Sequence, residues 1–156
     1  MNKWRGLAAG LAAGAAGTTA LNAVTYLDMA ARGRPASSTP EDTVEKLAAK
    51  VGVVIRGDEG TRKNRLTGIG ALLGLVAGSA VGGALGLARA FGFRPKPLVA
   101  GVLTGVGAMA GTNAPMAALG VTDLRTWSAT DWLSDAVPHL AYGLVTAAVV
   151  QGLDRD

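Results

Sequence analysis

His139 is the only histidine in the chain, and Asp135 stands four residues before it and Tyr142 three after. Residues three and four apart share a helix face, so the imidazole, carboxylate and phenol form one local group. Histidine is the side chain whose ordinary pKa lies nearest neutrality. Inside an apolar helix this group suits a proton-sensing or proton-relay role. The simpler and preferred reading is a plain hydrogen bond from the imidazole to Thr112, Asn113 or a backbone carbonyl. With two further polar residues in apolar surroundings, the candidate lining of a polar path is Asn22, Asn113, His139 and Tyr142. No metal is expected, because one histidine with scattered carboxylates lacks the ligand clustering that zinc needs. No cofactor is expected either. The chain has no cysteine, which removes disulfides, thiolate metal sites and cysteine nucleophiles. It contains no Walker, H-E-x-x-H or G-x-S-x-G motif, so an enzyme is not expected.

These polar residues are set in four uncharged windows, 6–27, 66–88, 97–119 and 136–153. Each is close to the ~20 residues that cross about 30 Å of hydrocarbon as a helix. The expectation is an all-α, integral-membrane four-helix bundle, one domain over 1–156, with an extramembrane loop at 28–65. Lys3 and Arg5 before the first window resemble the start of a signal peptide. That window is longer than the ~7–15 apolar residues of a signal sequence, so it reads as a retained span. A net charge of +4 and a pI near 9.9 would suggest nucleic acid in a soluble protein. Here the cations flank the spans, where topology and anionic headgroups call for them, and no nucleic-acid partner is expected.

The packing of the spans is written in small residues. Gly70, Gly74, Gly78, Gly82 and Gly86 recur every fourth position in the second window, and Gly101 and Gly105 continue the pattern in the third. In water each glycine costs a helix roughly 1 kcal/mol relative to alanine. In lipid the backbone must satisfy its own hydrogen bonds, and a small-xxx-small row lets another backbone come close. The ladder is therefore expected to act as the packing spine. The first window carries Gly6, Gly10 and Gly14, then Thr18, Asn22 and Tyr26, a stripe expected to face protein throughout. The fourth places His139, Gly143, Ala147 and Gln151 on one stripe. So many small faces suggest a protein that acts by assembly, as a homo-oligomer or an accessory subunit of a membrane complex. The alternative is a small, pH-responsive channel or transporter using the polar path.

Between the first two spans, Thr39, Pro40 and Asp42 predict a helix start capped by Thr39. Val44, Leu47, Ala48 and Val51 form the apolar face of a short amphipathic helix, which should lie on the membrane or on the bundle. Ser128 and Asp131 predict a second capped start. Four spans put Lys3, Arg5, Arg89, Arg94, Lys96 and Arg155 on one side. Arg32, Arg34, Lys46, Lys50, Arg56, Arg62, Lys63, Arg65 and Arg125 fall on the other, which this count places in the cytoplasm.

Gly101 and Gly105, then Pro115 and Gly120 closing the third span, then Leu133, His139, Tyr142 and Gly143 opening the fourth, resemble the YagU-like family of bacterial inner-membrane proteins. The resemblance implies a small multi-pass protein of the bacterial cytoplasmic membrane without known enzyme activity, in a family with some association with acid stress. Members often have a charged residue in the first span and a Pro-Pro-Arg after it. This chain has Asn22, then Arg34 and Pro35.

Overall fold

The computed structural model describes residues 1–154, and among them it is all-helical. Helix α1 runs Lys3–Arg32, α2 Thr39–Lys50, α3 Glu59–Ala90, α4 Pro97–Ala118 and α5 Ala129–Leu153, with a single 3-10 turn at Leu124–Thr126. Arg155, counted above among the flanking cations, lies outside the described residues.

Most ends follow local chemistry. The Asn2 side chain accepts from the Arg5 amide at 2.8 Å, and Asp58 accepts from the Thr61 amide at 2.7 Å, each satisfying an amide the first helical turn leaves free. Gly33 closes α1 with φ 62°, in the left-handed region that glycine enters without strain. Ser128 and Asp131 form a reciprocal capping box, so α5 begins at Ala129, seven residues ahead of the apolar window. At α2 the cap is Ser38 rather than Thr39. Its hydroxyl donates to Asp42 Oδ2 at 2.9 Å and caps no amide. The backbone holds instead, with the Asp42 amide donating to the Ser38 carbonyl at 3.0 Å.

Three helices, α1, α3 and α5, are long and apolar enough to cross a membrane. Helix α4 falls outside that set despite its 22 residues. Its sequence includes Pro97, Pro115, Thr104, Thr112, Asn113 and four glycines, which dilute its hydropathy without adding a charge.

Helix α1 packs along both α3 and α5, and α4 packs along α5, each pair antiparallel. The amphipathic α2 lies on α3, burying Thr43 and Val44. The consecutive helices α3 and α4 touch only sparsely. Close approach explains why the interior is small: its fully buried side chains include Ala13, Tyr142, Thr146 and Val150.

The ladder on α3 does not serve one neighbour. A Cβ at Gly86 would meet Gly6 backbone, one at Gly82 would lie 2.5 Å from Gly14 Cα, and one at Gly78 would strike Thr18 Oγ1. Gly70 instead abuts Pro40 Cβ at 3.0 Å, and Gly74 faces open space. The cause is geometric. At 3.6 residues per turn, an every-fourth-residue row advances about 40° around the helix at each step, so the ladder turns from α1 to a groove and then to α2. The same drift corrects the stripe on α1. Gly6, Gly10 and Gly14 face α3, but Asn22 and Tyr26 have rotated off the interface and are exposed.

Candidate functional site

The polar residues of α4 and α5 converge at the end of the bundle where α4 finishes and α5 starts. Helix α4 carries Thr112 and Asn113 there, and α5 carries Asp135 and His139 one turn apart. Asn113 Nδ2 donates to Asp135 Oδ2 at 2.7 Å, and His139 Nδ1 lies 3.2 Å from Asp135 Oδ1 and 2.8 Å from the Asp135 carbonyl. His139 Nε2 is 3.4 Å from Thr112 Oγ1, whose hydroxyl also reaches the Ala108 and Met109 carbonyls at 3.1 Å. The expected pairing of His139 with Asp135 and its hydrogen bond to Thr112 thus occur in one four-residue network. Close packing makes it possible: a Cβ on Gly105 would sit 2.6 Å from the His139 carbonyl, and one on Gly101 3.0 Å from Leu144 Cα.

Tyr142 lies one turn further along α5 but is turned toward α1 and α3. It is 1% exposed, and its hydroxyl donates to the Gly78 carbonyl at 2.6 Å. A Cβ at Gly17 would strike both the Tyr142 ring and Thr146 Oγ1, so glycine there makes room for the tyrosine. Tyr142 therefore joins three helices. Asn22 belongs to neither group. The structure brings Asn113 and His139 together, sets Tyr142 beside them on another face, and leaves Asn22 apart.

A second polar group, at the opposite end, was not singled out from the sequence. Arg89 is 7% exposed, and its Nη2 donates to Asp154 Oδ2 at 2.9 Å; Arg94 approaches Asp154 Oδ1 at 3.4 Å. Burial pushes the Asp154 carboxyl up, but the Arg89 hydrogen bond and the charges of Arg94 and Arg89 outweigh it and hold the group below the ordinary carboxylate range. The group ties the end of α5 to the end of α3. Counting every cation near a span end as a headgroup contact hid it. The one usable signal was Asp154, the lone described carboxylate at that end of the bundle.

The loop ends are ion-paired in simpler ways. The Asp123 carboxyl is held below its usual range by the Arg125 side chain and backbone amide. Asp58 is held down by the Thr61 amide. Trp127 and Trp132 meet edge to face with centroids 5.0 Å apart. Among the described residues no group of three histidine or carboxylate side chains could hold a metal ion.

Between α3 and α4 lies a groove of about 240 Å³ lined by Val81, Leu85, Ala88, Phe93, Leu103 and Gly107. Gly74 on α3, and Gly107 and Gly111 on α4, have nothing within 4 Å of where a Cβ would stand. Helical spacing places all three on the faces that line this groove. Compared with known proteins, the chain matches no family model, no curated protein and no solved structure.

Proposed function

We propose that this chain is a non-enzymatic, multi-pass membrane protein that acts by assembling with a second copy of itself through the face shared by α3 and α4. In this reading α4 also spans the bilayer. Its 22 uncharged residues reach about 33 Å as a helix, and it runs beside α5, which is apolar enough to cross.

The open glycines carry the proposal. Gly6, Gly10, Gly14, Gly82, Gly86, Gly101, Gly105 and Gly143 approach a neighbouring helix so closely that a Cβ would collide, whereas Gly74, Gly107 and Gly111, like Gly68 and Gly152 elsewhere on the helices, meet nothing. A glycine facing lipid gives up side-chain contact and gains none. The same glycine facing a second backbone permits the close van der Waals packing that drives helix association where the hydrophobic effect is absent. The groove is also apolar, and Leu103, which lines it, is exposed.

Gly107→Leu with Gly111→Leu fills the groove without touching an internal contact. The oligomer seen in native mass spectrometry from lipid nanodiscs should fall to monomer while helicity and melting temperature hold. An unchanged oligomer, or a parent protein that is monomeric, rejects the proposal.

A further inference from the structure

The two ends of the bundle differ in charge. At the end formed by the start of α1, the α3–α4 turn and the end of α5, Lys3, Arg5, Arg89, Arg94 and Lys96 share one described carboxylate, Asp154. At the other end nine cations stand with nine carboxylates, from Asp28 to Asp135. Several of those are directly paired: Asp28 with Arg32 and Arg34, Glu45 with Arg62, Asp123 with Arg125. The excess positive charge of the chain is therefore carried by one end.

Exposed aromatic side chains stand among these cations, whereas Tyr26 and Trp132, exposed at the other end, stand among paired charges. Trp4 is 82% exposed, Phe91 69% and Phe93 53%, and the Lys3 ammonium sits 4.8 Å from the centre of the Phe91 ring. Cations in excess of their one carboxylate, beside exposed aromatic rings, suit the headgroup layer of a bilayer: the rings take the boundary with the acyl chains, and the cations take phosphate oxygens. An acidic soluble partner would use the charges and leave the rings uncovered.

We infer that this cationic, aromatic end is a docking surface for anionic phospholipid headgroups, engaged through the exposed Lys3, Arg5 and Lys96, with Arg94 already paired to Asp154. Arg89 is kept out of the exchange by burial and by Asp154. The surface orients the protein as well, setting this end, rather than the one with more cations, against the anionic leaflet. The inference rests on the membrane reading above and is independent of the assembly reading.

Contact quenching tests it in the full chain. With Trp127→Phe and Trp132→Phe, Trp4 is the one tryptophan left. The protein is reconstituted in phosphatidylcholine vesicles containing brominated phosphatidylglycerol or, at the same mole fraction, brominated phosphatidylcholine. The expected result is stronger quenching by the anionic lipid, reflecting an enrichment of roughly fivefold for each cation engaged. That preference should survive millimolar inorganic phosphate and fall by about fivefold or more in Lys3→Gln/Lys96→Gln. Both lysines are exposed, so the fold is kept. A companion protein with Trp4→Phe and Trp127→Phe, reporting from Trp132 at the ion-paired end, should show no preference. Equal quenching of Trp4 by the two lipids overturns the inference, as does an equal preference at Trp132 or a preference unchanged in the lysine variant. Loss of the preference to inorganic phosphate alone would mean a free-anion site and overturns the lipid assignment. Absence of quenching by either lipid would reject the membrane reading itself.

Discussion

Helix α3 carries glycine on two faces, and the two have opposite surroundings. Toward α1, Gly82 and Gly86 meet backbone; toward α4, Gly74 meets nothing, and Gly107 across the groove is equally open. The residue type is the same, so the difference lies in what the neighbours need. On the closed face glycine is required by geometry, because any side chain must displace a helix. On the open face nothing inside the chain requires it. The contrast separates glycines that build this fold from glycines free to serve a contact outside it.

The contrast breaks most visibly at Gly82. Gly82→Leu drives a side chain into Gly10 and Gly14 backbone, and overpacking there should destabilise by about 3 kcal/mol, seen as loss of monodisperse protein in detergent. Asp154→Asn comes next, since it leaves the buried Arg89 without its carboxylate and should lower the melting temperature by several degrees. The pH dependence has a definite sign. The folded state holds Asp154 below its ordinary 3.8, so the tie is complete above that pH and is lost as pH falls through the lower folded value. Melting temperature should drop below about pH 4 more steeply in the parent than in Asp154→Asn, whose residue 154 cannot titrate. Tyr142→Phe removes the hydrogen bond to the Gly78 carbonyl that joins α5 to the closed face. It should cost about 1 kcal/mol without changing oligomeric state. Smallest, and opposite in sign, is Gly74→Ala. With open space around it, alanine should stabilise the helix by about 0.5–1 kcal/mol, measurable in chemical denaturation of the monomer.

Much of the helical layout was legible because it depends on local chemistry. Charge-free windows, Pro at helix starts and the Ser128/Asp131 box act within a few residues of one another. Which face meets which helix was not, since it depends on rotation accumulated along a whole helix. Asn22 is the clear case: four residues after Thr18 it continues a contact stripe on paper, yet it has turned to the surface. The His139 network was half visible. Its i, i+4 pairing with Asp135 lies in one segment, whereas the Asn113 bond to the same carboxylate spans 22 positions and needs α4 packed on α5. The Arg89–Asp154 pair, 65 positions apart, had no local signature.

Because the chain lacks cysteine, a single introduced thiol reports one position cleanly. Oxidative cross-linking of Gly107→Cys in native membranes, with Val102→Cys on the far side of the same helix for comparison, tests the assembly face most directly. The account predicts a disulfide-linked dimer from position 107 and none from 102. Cross-linking that is equal at the two positions, or absent from 107, would contradict it.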